Sequence, residues 1–97
     1  MKLRGLEILY EFSRSHPDAR NWINNWVADV KNVTWKSPQD VKNRHANASI
    51  VAGNIVFFNV KGNDFRMQVK IYYQSGDVLI KWIGTHQEYT KIFVKGK

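Results

Sequence analysis

The chain changes its hydrophobic period once, near Asn47, and that change restricts it to a fold of helices followed by strands. Before it, Ala19, Trp22, Ile23, Trp26, Val27 and Val30 fall at i, i+3, i+4, i+7, i+8 and i+11, one unbroken apolar stripe of an amphipathic helix. After it, β-branched and aromatic residues dominate between short turn signals: Gly53-Asn54, Gly62-Asn63 and the longer Gln74-Ser75-Gly76-Asp77. This pattern predicts strands near 49–52, 55–61, 64–73 and 78–85, joined as an antiparallel meander.

The first half carries further punctuation. Met1 to Arg4 suits a short strand, and Leu6, Leu9, Tyr10 and Phe12 follow a loose helical spacing that ends near Ser15. Pro17 fits the first position of the striped helix, and Asp18 its positive end. Trp22 and Trp26 read as core residues of that stripe. Ser37-Pro38-Gln39-Asp40 places a cap, a proline and an acid where a short helix to about Arg44 begins. A last short helix is expected over His86 to Ile92. The 97 residues suffice for one domain, 1–97, with one modest core. The expected class is α+β, with two to three N-terminal helices on one face of a small antiparallel sheet and a short C-terminal helix.

Lys and Arg number 15 against eight Asp and Glu, a formal charge of +7, so an anionic partner is expected, nucleic acid first and an acidic protein second. A merely basic soluble protein is the plain alternative. The chain has no cysteine, which leans towards the cytoplasm. Arg4, Glu7 and Glu11 break the first apolar stretch, so no signal peptide is expected. No apolar run is long enough to span a bilayer. His16 and His45 read as structural, and three scattered His without Cys are no zinc signature. There is no phosphate-binding glycine loop and no dinucleotide fingerprint.

Strand alternation divides the second half into two faces. With Gly62-Asn63 as a two-residue turn, Asn59 faces Arg66, Phe57 faces Gln68 and Ile55 faces Lys70. With Tyr73 opposite Val78, Lys70 faces Lys81 and Arg66 faces Thr85. One face then holds Val56, Phe58, Val60, Phe65, Met67, Val69, Ile71, Tyr73, Val78, Ile80 and Trp82 and lies against the helices. The other holds Phe57, Asn59, Arg66, Gln68, Lys70, Tyr72, Lys81 and Thr85, a basic, amidic and aromatic surface with Ile55, Leu79 and Ile83 among them. Lys70 directly opposite Lys81 is unfavourable unless an anion such as RNA phosphate lies between them, or unless both point away into solvent. An open sheet with exposed aromatics can also stack bases.

Several segments in order resemble the HigB toxin family: Trp35-Lys36 with Pro38 and Asp40, Asn47-Ala-Ser49, Phe58-Asn-Val-Lys-Gly-Asn63 with Phe65-Arg66, Gly84-Thr-His-Gln-Glu-Tyr89, and Lys91-Ile92. The resemblance spans nearly the whole chain, and Gly84-Thr-His-x-Glu-Tyr is its most specific part. It implies a RelE-like fold and a metal-independent endoribonuclease that cuts mRNA, typically on the translating ribosome, with no cofactor. It also implies a HigA-like helix-turn-helix antitoxin, with operator DNA bound only through the toxin–antitoxin complex.

Such cleavage uses the substrate's own 2′-hydroxyl. It needs a base for that proton, cations for the charge developing at phosphorus and an acid for the leaving 5′-oxygen. The predicted register brings Arg66 beside His86, with Tyr89 three residues on and Lys91 close behind. Arg66 suits the scissile phosphate, because its planar fork matches phosphate oxygens. His86 suits an acid or base. Tyr89 can orient the nucleophile, donate a proton, or simply pack the last helix on the sheet; Lys91 can assist electrostatically. Lys61, Lys70, Lys81 and Asn59 are the expected RNA-binding residues. A non-catalytic RNA- or ribosome-binding domain, and a module that meets only an acidic protein, remain open on sequence grounds.

Overall fold

A computed structural model describes residues 1–94. The period change near Asn47 separates a mostly helical half from a mostly stranded one. The first half gives strand β1 (Lys2–Arg4), helix α1 (Leu6–Ser15), a tight turn Pro17–Ala19, helix α2 (Arg20–Lys31) and helix α3 (Pro38–Arg44). The second gives β2 (Ser49–Val51), β3 (Ile55–Val60), β4 (Phe65–Tyr72), β5 (Asp77–Thr85), the one-turn helix α4 (His86–Tyr89) and a wider helical turn, Thr90–Val94. The chain is α+β: the N-terminal helices pack on a five-stranded, mostly antiparallel sheet, consistent with a RelE-like fold.

The sheet order is β1-β5-β4-β3-β2. The strands from β2 to β5 form the expected meander, while β1 joins the far edge parallel to β5, with Leu3 opposite Val78. Helix α1 begins where the chain leaves β1 across β5. Gly5 makes that crossing at φ 83°, and a side chain there would put its Cβ 2.8 Å from the Ile80 carbonyl oxygen.

The stripe of α2 is the centre of the core. Ile23, Trp26, Val27 and Val30 are buried against the inner face of the sheet, and Trp26 meets Phe58 edge-on at 5.4 Å. Trp35 stacks on the same Phe58 at 6.2 Å. Each such side chain stabilises by about 1.5–3 kcal/mol on burial. The buried Ser13 hydroxyl is satisfied by donating to the Leu9 carbonyl at 2.9 Å. His16 stacks on Phe12 at 4.0 Å, and His45 meets Phe58 at 5.1 Å; both are packing residues here.

The β3–β4 register is the one expected, with Asn59 opposite Arg66 and Ile55 opposite Lys70. The β4–β5 register differs. The turn is Tyr73–Gly76, closed by the Gly76 amide donating to the Tyr72 carbonyl at 2.8 Å, and Tyr72 rather than Tyr73 begins the pairing, opposite Asp77. Ile80 pairs with Val69 and Trp82 with Gln68, so Lys81 is an extra, bulged residue. Lys70 therefore faces Leu79, not Lys81, and Arg66 faces Gly84, not Thr85. The bulge also exchanges the faces of the last three residues before Thr85. Ile83 enters the core, and Trp82 turns to the outer face.

Candidate active site

Arg66 is an outward, half-buried residue of β4, with Asn59 of β3 on one side and Gly84 of β5 on the other. Gly84 leaves room that a larger residue would fill: a Cβ there would press on the Trp82 ring and lie 2.8 Å from Glu88 Oε1. Beyond it, β5 turns directly into α4 through a capping box. The Glu88 amide donates to the Thr85 hydroxyl at 3.1 Å, and the Thr85 amide donates to Glu88 Oε1 at 2.8 Å. The His86 amide donates to the Asp64 carbonyl at 3.1 Å, tying the same turn to the β3–β4 connection.

That fixed turn brings its side chains back over β4. Arg66 Nε donates to His86 Nδ1 at 3.3 Å, and another nitrogen of the same guanidinium donates to Asn59 Oδ1. Arg66 Cζ lies 5.0 Å from the centre of the Tyr89 ring, within reach of a cation–π interaction. The His86 and Tyr89 rings are 6.1 Å apart and tilted by only 23°. A cation oriented from three sides thus meets an exposed imidazole and a half-buried phenol ring. This combination can bind a phosphate and move protons beside it.

A family model described as HigB toxin, the RelE-like toxic component of a toxin–antitoxin system, matches residues 19–92. The chain belongs to this family. No curated protein matches it. The matched segment contains Asn59, Arg66, His86 and Tyr89. As the toxic component of such a pair, a HigB-family toxin has an antitoxin for its partner.

The remaining candidates of this HigB-family toxin are spread around the cluster. Lys61 is engaged with acids, at 3.2 Å from Asp18 and 3.9 Å from Asp64. Lys70 lies with Nζ 5.3 Å from the centre of the exposed Tyr72 ring, and Lys81 projects from the bulge. Lys91 is exposed in the wide last turn, two residues beyond Tyr89.

The outer face of the sheet is less open than alternation implies. Phe93 packs on Phe57 at 5.0 Å and on Trp82 at 5.1 Å, while Tyr89 meets Phe57 at 5.2 Å. Phe57 is only 6% exposed as a result. It is a foundation for α4 and not a platform for bases. The expectation of exposed stacking aromatics fails at Phe57 because the C-terminal segment covers it. Tyr72, at 41%, is the aromatic left exposed on this face. The capping box escaped the sequence reading, although Thr85-His-Gln-Glu88 carries its signature spacing. Among the described residues, no three His, Asp or Glu side chains are grouped to hold a metal ion, and no helix is long and apolar enough to cross a membrane.

Proposed function

We propose that this toxin is a metal-independent endoribonuclease that cuts mRNA on the translating ribosome and so stops translation. The observation that supports the reading is the Arg66 cluster, in which a cation, an imidazole and a phenol converge on the outer face of a basic sheet, at one end of its central strand. Arg66 takes the scissile phosphate through its fork, and Asn59 keeps the fork aimed. A phosphate oxygen that captures Arg66 Nε releases His86 Nδ1, which is then free to accept a proton. His86 takes the 2′-hydroxyl proton as that oxygen attacks phosphorus, giving a 2′,3′-cyclic phosphate. The departing 5′-oxygen leaves with a proton from Tyr89. Lys91 adds positive charge as the phosphorane forms, and Lys70, Lys81, Lys61 and Asn59 hold the RNA strand.

In this reading the partner is a HigA-like helix-turn-helix antitoxin, the complex represses its own operon, and operator DNA is met only through that complex. The toxin acts in the cytoplasm, where its mRNA substrate is translated. The test is a pulse of expression followed by primer extension across several mRNAs, with Arg66→Ala and His86→Ala alongside. New 5′ ends within reading frames that vanish in both variants are expected. Intact mRNA in the presence of folded protein makes the basic surface a binding site without catalysis.

A further inference from the structure

A second depression adjoins the Arg66 cluster. It encloses about 410 Å³ between α2, the loop after α3 and the β3–β4 connection, and Trp22, Arg44, Asn47, Asn59 and Asn63 line it. Asn59 belongs to both sites. A guanidinium has no acceptor, so the atom of Asn59 facing Arg66 is Oδ1, and the end left over is the amide NH₂, a donor. Arg44 likewise offers only donors, and Asp29 engages its Nε and Nη2, leaving Nη1.

The loop that carries Asn47 is tightly held although it is irregular. Lys42 Nζ donates to the carbonyls of Ala46 at 2.8 Å and Ala48 at 2.7 Å, and the Ala48 amide donates to the His45 carbonyl at 3.0 Å. The His45 ring is wedged between Phe58 at 5.1 Å and Trp35 at 5.8 Å. With that loop pinned from inside, Asn47 is presented on a fixed backbone, and its amide appears in no hydrogen bond among the described residues. The depression is thus pre-formed, lined by asparagine amides and the Trp22 indole, and one side chain away from Arg66.

We propose that this depression holds a guanine base of the RNA strand next to the phosphate on Arg66. The proposal rests on the ribonuclease reading for the source of that base. Trp22, half-buried at the margin of the core, lines the depression with its indole, and single-stranded RNA bases stack on aromatic rings. Asn59 and Arg44 both line the depression and have only donors left to offer, which suits an edge with two neighbouring acceptors such as guanine presents at O6 and N7. Adenine presents an amino donor beside its N7, and the bidentate asparagine–adenine pair needs the Asn59 oxygen that Arg66 already occupies. Asn47 and Asn63 can turn their amides to either role and so close the pocket without choosing the base.

Two experiments test this. In the first, 5′-GMP, AMP, CMP and UMP are each titrated into the isotopically labelled toxin and followed by NMR. GMP is expected to shift the Trp22 indole N–H and the Asn59 side-chain amide, with an affinity at least roughly fivefold above AMP, the scale of one good base-edge contact. Equal responses to all four, or shifts confined to Arg66 and His86, overturn the proposal. In the second, cut sites are mapped for the wild type and for Asn63→Asp, an exposed turn position where a carboxylate would face the O6/N7 edge. Guanine should be enriched at one fixed position beside wild-type cuts, and whatever cuts Asn63→Asp makes should have lost that enrichment. Wild-type cutting with no guanine preference overturns the pocket and leaves the ribonuclease reading intact. No cutting at all overturns the ribonuclease reading, and with it the RNA strand as the source of the base; a GMP preference would then assign the pocket to a free guanine nucleotide.

Discussion

Arg66 donates through Nε to Nδ1 of His86 at 3.3 Å. Because a guanidinium cannot accept, the imidazole nitrogen in this bond is unprotonated, and the ring proton of the substrate-free toxin sits on Nε2. The two groups proposed to work together therefore begin by occupying one another. Long-range nitrogen–proton NMR correlations of His86 should show the Nε2–H form in the wild type and a mixture of tautomers in Arg66→Ala. A wild-type ring with its proton on Nδ1 would contradict the arrangement.

Arg66 also decides how activity should respond to substitution. Arg66→Ala removes the fork from the phosphate and is expected to lower the cleavage rate by roughly 10²–10³-fold, the usual loss for one oriented transition-state donor. Arg66→Lys should recover only part of it, since an ammonium keeps the charge but not the paired geometry. Asn59→Ala leaves the guanidinium present but unaimed and should fall between wild type and Arg66→Ala. Cleavage of a reporter mRNA during in vitro translation measures all three, and an Arg66→Ala rate near wild type would remove Arg66 from the site.

The turn that holds His86 and Tyr89 depends on Thr85 and Glu88. Thr85→Ala deletes the hydroxyl that accepts the Glu88 amide and should cost about 0.5–2 kcal/mol, read as a lower urea midpoint. Gly84→Ala forces a Cβ against the Trp82 ring and within 2.8 Å of Glu88 Oε1, so it should cost about 1–3 kcal/mol. Both should reduce cleavage in the protein that remains folded, because α4 carries the imidazole and the phenol. A Gly84→Ala variant as stable and active as the wild type would show that the turn accommodates the methyl group.

The contrast between two hairpins shows how far the amino-acid sequence reaches. Gly62-Asn63 is followed by a strand that alternates strictly, and the two strands pair without a bulge, so placing the turn places every pair from Val60–Phe65 to Ile55–Lys70. In the next hairpin, Tyr73 is apolar enough to read as strand, yet it belongs to the turn, which shifts the pairing by two. The Lys81 bulge then gives one residue back and turns Trp82 outward and Ile83 inward. A bulge leaves little mark in composition, because Trp82 and Ile83 are both apolar and either can be the buried one. The closeness of Arg66 to His86 survives these shifts, since it depends on the end of β5 and not on its middle. The aromatic cover over Phe57 and the depression beside Asn59 were not legible, because each is assembled from segments far apart in the chain.

The lysines should report on the RNA path through salt. Lys70 and Lys81 no longer face each other, so the anion between them is not required, and each should contribute one independent phosphate contact. Each single replacement by Ala should then reduce the slope of log affinity against log salt by about 0.7 for a non-cleavable single strand. Lys61, already engaged by Asp18 and Asp64, should change the slope less. Unchanged slopes in Lys70→Ala and Lys81→Ala would route the strand elsewhere.

Acid should weaken the fold through His45 before it acts on the carboxylates. Burial pushes the His45 imidazole below its ordinary value of 6.5, more than Asp29 raises it, and Arg44 adds to the lowering. Its Nε2 has no hydrogen-bond partner and lies 3.7 Å from Asp29 Oδ2. The unfolded chain therefore takes up a proton near pH 6.5 that the folded chain still refuses, so the stability this residue contributes is complete above that pH and declines below it. The decline is at most about 1.4 kcal/mol per pH unit for one proton and levels off below the folded value. Asp29 is held below its ordinary 3.8, chiefly by its hydrogen bond from Arg44, so its contribution is lost only in stronger acid. Urea unfolding at pH 7, 6 and 5 should show stability falling for the wild type, with a flatter profile for His45→Phe, which keeps a ring between Trp35 and Phe58 but cannot titrate. Parallel profiles for the two proteins would mean that His45 takes up its proton equally well folded and unfolded.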